Sequence, residues 1–575
     1  MKKKASARRM DVLFGLALLA LFGFSFRRLP FGAVLDDEAF YLSIPWQLVQ
    51  GGAPLLHQWN PAQFFGVLLA PLLRLYLLLH PSTDGIFLNF RRFFLAAHAL
   101  TAVFLYVRLR RESRPGAAAV GLFYFVFRFM GFPCLSYKSM SVALMLLACL
   151  TMGQMKGKAW EGWLAGAAYA GAVLCCPTLV LLYVLYTAAV VIAALLRRRL
   201  PTDLTLRGRT WLRVTAACAV CALLFFLRVG LTGDLRQLGD TIPHLFVLET
   251  HTPDGPAAWF AGFCRAFYRS NRWFLPILVT GLALAAAIRF DRGVKKRRWL
   301  YLLLAAVVTF FFSLPYLLMY RAHNYLIFPL SILGLYAWML CEKKDNRLFL
   351  ASYLPGVVFW ACFDMASDLG FASIAGASAV NMPVCLISLF RLFRELAEDA
   401  GAGGRGRRAA NWTGIAAAAA ATFALFLVLI YNTVYRDANT RLRWQDDTVI
   451  SCGAATGLIA RDYEAAEYAA EYAALAPLRE IREGNVLFLT TSSLRFLEDS
   501  KRCVSNNLWF SYTTPERAFR ELEAYWACFP DWRPDYVYLR RDMVEDGYLE
   551  GFDPYPHTET DVGTGIILTM DWSTS

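Results

Sequence analysis

Three consecutive carboxylates, Asp36, Asp37 and Glu38, open the stretch LDDEAFYLSIPWQLVQGG, about ten residues beyond a long apolar run. Acids this close repel one another, which can raise the pKa of one of them toward the range a general base needs. A solvated turn would hold such a run equally well. The side chains that follow argue for more, because Phe40, Tyr41, Ile44, Trp46 and Leu48 would lay the acids against an apolar interface. Further along the same segment come His57 and Asn60 in HQWNP, then Arg91 and Arg92 at the start of the next apolar run. Lys138 in LSYKSMS, and Arg321 with His323 in YRAHNY, also stand beside apolar runs. A cation at such a place is either an anchor for the segment or a partner for an anionic ligand.

The elements that must position these residues are membrane helices. The chain has 575 residues, 57% hydrophobic and 18% charged, and its mean hydropathy is +0.42. A soluble protein of this length does not normally show that balance. Apolar runs of about 18 to 22 residues recur from Asp11 onward, long enough to cross roughly 30 Å of hydrocarbon with all backbone groups bonded internally. They fall near residues 11–29, 91–108, 116–133, 135–152, 161–176, 178–196, 211–231, 273–289, 299–319, 325–341, 347–363, 379–394 and 412–431.

The net charge of +14 is unevenly placed. After Asn432 there are 24 acidic and 14 basic residues, a net of about −10, so the membrane part carries about +24. Its Lys and Arg residues cluster in short connections, at 2–9, 108–114, 197–213, 289–298, 343–347 and 391–408. That is the pattern of cytoplasmic anchors rather than of a nucleic-acid surface. With the N-terminus inside and thirteen crossings, every cluster falls on the cytoplasmic side. The first helix is expected to stay uncleaved, since no small-x-small site precedes Arg27. The outer face then receives a loop from Pro30 to Phe90, a second from Thr232 to Arg272, a turn at 321–324, and the C-terminal segment. Within the first loop, Phe64 to Leu79 is apolar enough to span but would invert everything after it. Broken by Pro71 and Arg74, it is read as an amphipathic segment at the outer interface.

Residues 433–575 read as a separate extracytoplasmic domain beyond a membrane domain of residues 1–432. β-rich pieces at Asn485 to Thr491, Asp535 to Leu539 and Gly565 to Met570 alternate with helical pieces at Arg461 to Leu475 and Pro515 to Trp526, a small α/β pattern. Its GAATG run does not match a phosphate loop. Of thirteen cysteines most lie in apolar runs as small hydrophobes, whereas Cys452, Cys503 and Cys528 could form one bridge in an oxidising compartment.

The order of these residues resembles the C-type (GT-C) glycosyltransferases that take sugar from a polyprenyl phosphate, notably the protein O-mannosyltransferases and the lipid A aminoarabinose transferases. Those enzymes carry an acidic pair and a tyrosine in the first outer loop, matched by Asp37, Glu38 and Tyr41. A glycine turn follows, matched by Gly51 and Gly52, then a polar entry to an interfacial helix, matched by His57 to Pro61, and an arginine, matched by Arg91 or Arg92. A later Arg-Tyr-like turn is looser here, because Ala322, His323 and Asn324 separate Arg321 from Tyr325. The resemblance implies thirteen helices with an outer C-terminal domain, a polyprenyl-phosphate-linked sugar as donor, and a lipid, glycan or protein acceptor. It implies Asp37 as base, with Asp36 or Glu38 positioning it, and Tyr41, His57 and Asn60 near substrate. Lys138, Arg321, His323 and Arg91 are then the candidates for the departing phosphate, an anion of low basicity that needs cations rather than a general acid. No second carboxylate cluster of suitable spacing is evident for a divalent cation, although Asp234 and Asp240 could contribute to one. No cofactor is expected.

Two other readings share the architecture. A transporter or flippase of lipid-linked saccharides would place its charges near the midplane and often show internal repeats, and none is found. A membrane polysaccharide polymerase or ligase differs only in acceptor. Short loops and no eukaryotic retention signal point to a bacterial inner membrane.

Overall fold

The computed structural model describes residues 2–574 apart from 33–34, 132, 155–157, 196–207, 247–260, 263, 266–267, 270–274, 319–327, 366–372, 432–446, 509 and 511–513. The chain is a multi-pass helical membrane protein with a C-terminal α/β domain. α1 (Lys2–Arg28) leads to two outer-loop helices, α2 (Leu35–Val49) and α3 (Phe65–Leu79). α4 (Ile86–Leu109), α5 (Arg114–Val126), α6 (Tyr137–Gly153), α7 (Ala159–Cys175), α8 (Val180–Leu195) and α9 (Gly208–Thr232) follow. The second half of the bundle is α10 (Leu275–Phe290), α11 (Val294–Leu318), α12 (Phe328–Leu340), α13 (Asn346–Met365), α14 (Ile374–Ala402) and α15 (Arg405–Ile430). Leaving out α2 and α3, these coincide one for one with the expected apolar runs. Among the described residues, six of them are long and apolar enough to cross a membrane.

α14 is the centre of the bundle, with 83% of its apolar window buried. It packs against α12, α13, α15 and α5. Small residues let the backbones approach: a Cβ on Gly334 of α12 would overlap Cys385 of α14. Outward-facing Leu100, Val103 and Val107 on α4 and Leu223, Leu227 and Leu231 on α9 stay exposed, as lipid-facing positions do.

α3 has 15 residues, or about 22 Å of helix. It buries Phe65, Leu69, Leu73 and Tyr76 on α2 and leaves Leu75, Leu78 and Leu79 exposed.

One end of the bundle gathers the basic clusters. Arg391 bonds Glu112 at 3.2 Å and Asp345 at 3.5 Å, and Arg298 bonds Glu395 at 2.7 Å and Asp399 at 2.6 Å. Arg114 lies 3.5 Å from Asp11 of α1. These contacts bring the connections at 108–114, 289–298, 343–347 and 391–408 to one side, as their charge suggested.

The C-terminal domain sits at the other end. A two-stranded ribbon, β1 (Thr448–Val449) and β2 (Ile459–Ala460), precedes α16 (Asp462–Ala474). A five-stranded sheet then runs in the order β4-β3-β5-β7-β6, from β3 (Asn485–Leu489), β4 (Arg502–Cys503), β5 (Tyr536–Arg540), β6 (His557–Asp561) and β7 (Gly565–Met570). β3 is parallel to β4 and β5, while β7 is antiparallel to β5 and β6. α17 (Pro515–Cys528) buries Phe519, Leu522, Tyr525 and Trp526. Edge strand β6, with sequence HTETD, is largely exposed, so it lacks the apolar signature by which β3, β5 and β7 can be read from sequence.

Docking of the domain explains much of the first outer loop. The edge of β4 is covered by two glutamines, one in α2 and one just beyond its end: Gln47 donates to Ser505 O at 2.9 Å, and Gln50 donates to Lys501 O at 2.6 Å and accepts from Cys503 N at 3.1 Å. The GAATG run lies on the start of α4, where Gly85 N donates to Gly453 O at 3.0 Å. Positive φ values of 63° and 84° at Gly453 and Gly457 make that turn. The one bridge open to Cys452, Cys503 and Cys528 is not formed: all three are free thiols, with Cys503 buried and donating to Phe496 O.

Candidate functional site

Asp36, Asp37 and Glu38 form the first turn of α2. They are not in an irregular loop, as the run had suggested. The helix N-terminus, with its unsatisfied amides and positive dipole, is what accepts three acids in a row. Successive residues on a helix point about 100° apart, so the three carboxylates enter three environments.

Glu38 turns into the protein. It is 1% exposed and binds Arg91 Nε at 2.9 and 3.1 Å. Arg91 also donates to Leu29 O and Gly32 O, each at 2.7 Å. Arg91 thus ties the end of α1, the start of α2 and α4 together. Expected among the phosphate contacts, it is instead held by a carboxylate and two carbonyls, while Arg92 is exposed and bonds Asn89.

Asp36 turns toward the C-terminal domain. Its edge is open to solvent, yet crowding by protein atoms raises its pKa above the usual carboxylate value; Asp37 adds to the rise, and Ser492 and Arg540 oppose it.

Asp37 lies between these two, partly exposed. Tyr41, one helical turn on, donates its hydroxyl to Asp37 Oδ1 at 3.4 Å. Burial, followed by the charge of Asp37, pushes the Tyr41 phenol well above its ordinary pKa, so it stays a donor. Lys138, in the first turn of α6, is buried rather than extended to water. Its Nζ lies 5.7 Å from the Tyr41 ring and 5.5 Å from the Tyr137 ring. Tyr137 packs edge-on to Tyr41 and stacks on Phe363 of α13. The Cys134 thiol is pushed up by burial and then by Glu38 and Asp37, with Lys138 and Arg91 opposing, which places all four charges around it. Asp37, Tyr41, Tyr137 and Lys138 therefore form one cluster, from positions about 100 residues apart in the chain.

The structure parts other expected residues from this cluster. His57, expected to touch substrate, is instead packed between loop and domain, stacked on Trp532 at 4.0 Å and accepting from Ala53 N at 2.9 Å. Burial and the nearby Arg502 lower its pKa to about 4, so it is neutral near pH 7. Asn60 accepts from Ala62 N at 2.8 Å and donates to Asn507 at 3.4 Å. It shapes the turn into α3. Arg321 and His323 lie outside the described residues.

Arg128 was not singled out by the sequence. It is 3% exposed, with Nη1 buried and lacking a hydrogen-bond partner, and close enough to the Arg91–Glu38 pair to feel both charges. The run at 116–133 hid it, being read as one span. In the structure α5 stops at Val126, and Arg128 begins a connection through a short helical turn at Phe129–Gly131. Gly131 and Pro133, both helix breakers, were the available signal. Among the described residues, no three His, Cys, Asp or Glu side chains gather as metal ligands would.

The fold and site define a polytopic membrane protein whose carboxylate and cation meet at the bundle's end, beneath a docked domain. No family model matches the chain, and no curated protein matches it. Among solved structures it is similar to ArnT from Cupriavidus metallidurans bound to undecaprenyl phosphate, at 15% identity and a TM-score of 0.45 over 98% of both chains. The apo form of that protein gives 14% and 0.44 over the same shares. It is also similar to the archaeal oligosaccharyltransferase AglB from Archaeoglobus fulgidus, at 11% identity and a TM-score of 0.46, over 98% of this chain and 75% of that one. Likeness this distant assigns no role to any residue here.

Proposed function

We propose that this chain is a membrane glycosyltransferase that moves a sugar from a polyprenyl-phosphate-linked donor to an acceptor hydroxyl at the outer face, with inversion. The observation that carries the reading is the pairing of a solvent-reached carboxylate, Asp37, with a buried lysine, Lys138, across Tyr41 at the end of the bundle. Asp37 takes the proton of the acceptor hydroxyl as that oxygen attacks the anomeric carbon. The bond from that carbon to the donor phosphate breaks, and the phosphate leaves with the electron pair toward Lys138. The Glu38–Arg91 pair fixes the turn of helix that carries Asp37. No cofactor is called on. The N-terminus and basic end face the cytoplasm, and the domain faces outward, in a bacterial inner membrane. A transporter would hold these charges within the membrane, whereas α4 and α6 meet them at their outer starts.

The test is sugar transfer by purified Asp37→Asn from a panel of polyprenyl-phosphate sugars, read as released polyprenyl phosphate. Turnover should fall about 100-fold or more with the melting temperature unchanged. Asp36→Asn should cost less. Near-normal turnover in Asp37→Asn would end this mechanism and put the transporter reading ahead.

A further inference from the structure

The end of the bundle opposite Asp37 holds a cleft of about 390 Å³ that the proposed reaction does not use. It lies between the end of α4, the end of α6 and the start of α13. Arg108, Arg110, Arg111 and Arg347 line it, together with Glu112 and Asp345. Both carboxylates are held by a further arginine, Arg391, at 3.2 and 3.5 Å, and Asp345 also accepts from Leu348 N at 3.0 Å. Arg110 also stands 4.0 Å from Asp11, and Glu161 lies near Arg108, so the arginines outnumber the carboxylates around them by a small margin.

Arg108 gives that excess a direction. It is half-buried, with Nη2 reaching Leu150 O at 3.4 Å. Its Nε is buried with no hydrogen-bond partner. Planar guanidinium groups drawn into a concave site suit a phosphate, whose oxygens they can bond two at a time. The cleft is several times larger than a bare phosphate, so the ligand extends beyond it. Val107 on its rim is 46% exposed and is followed along α4 by Val103 and Leu100, 41% and 72% exposed, at helical spacing on one face. An acyl or prenyl chain entering from the cleft would meet that strip.

We propose that this cleft is a second anion site, taking a headgroup whose phosphate leaves it with net negative charge, at the basic end of the bundle. It stands independently of the reaction at Asp37. The purified full-length protein is titrated calorimetrically with dihexanoyl phosphatidic acid, dihexanoyl phosphatidylcholine and inorganic pyrophosphate. Saturable binding of phosphatidic acid is expected, weakened at least tenfold in Arg108→Gln/Arg111→Gln. Arg394→Gln, at the same end but with its side chain 70% exposed and outside the cleft, should change it less than twofold. Should the double variant fold poorly, Arg111→Gln alone, at an exposed position, should weaken binding at least threefold. Competition by pyrophosphate would identify a soluble phosphate ester as a sufficient ligand, and its failure would identify a lipid. The site is overturned if neither anion binds saturably, if phosphatidylcholine binds as well, or if Arg394→Gln loses as much as the cleft variants.

Discussion

The two ends of the helix bundle use charge in opposite ways. At the basic end charges are shared: Arg298 meets Glu342, Glu395 and Asp399, Glu342 also meets Lys295, and Arg391 meets Glu112 and Asp345. Around the first turn of α2 the charges meet across the bundle instead: Glu38 is buried against Arg91, while Asp37 and Lys138 both stand beside Tyr41. A shared network keeps helix ends in place and tolerates the loss of a member. A buried pair such as Glu38 and Arg91 does not, because removing one member leaves the other charge in a low-dielectric setting.

The strongest way to break this comparison is Arg91→Met, which strands the buried carboxylate of Glu38. Stability should fall by roughly 3–5 kcal/mol, read as a large drop in melting temperature, and Glu38→Leu in the same chain should restore much of it. A small effect of the single change would mean that the pair is not what holds α2 to α4.

His57 offers a pH test of how the domain is docked. Its folded pKa of about 4 lies below the usual 6.5, so below pH 6.5 the unfolded chain takes up a proton that the folded chain refuses. Its contribution to stability is therefore complete above pH 6.5 and is lost as pH falls toward 4, by up to roughly 3 kcal/mol. Melting temperatures from pH 7.5 to 4.5 should fall more steeply in the wild type than in His57→Gln. Parallel curves would show that His57 does not feel the burial described.

Lys138→Met keeps a side chain of similar reach between the two tyrosine rings and removes only the charge. It should lower kcat/KM for a lipid-phosphate donor about 30-fold, equivalent to about 2 kcal/mol, with no loss of melting temperature. An unchanged kcat/KM would make Lys138 a structural cation of the aromatic cluster.

The smallest effect belongs to the other end. Arg394 and Glu398 form an exposed i,i+4 pair at 3.7 Å, and Arg394→Ala should change stability by no more than about 0.5 kcal/mol. A loss of several kcal/mol there would erase the contrast between the ends.

Hydrophobic run length, the side on which Lys and Arg cluster, and the alternation in the tail were enough to find the bundle helices and strands β3, β5 and β7. These are local signals, carried by residues near one another in the chain. The sequence also determined that Asp37 and Tyr41 face each other, once their four-residue spacing lies on a helix. It could not divide the work among Asp36, Asp37 and Glu38. That division depends on the 100° turn between neighbours and on what each then meets: Arg540 and Ser492, Tyr41 and Lys138, or Arg91. Nor could it separate His57, which packs on Trp532 some 475 residues away in the chain, from a substrate contact. Partners so distant are chosen by how helices and domain dock, and only the tertiary structure sets which charge meets which group.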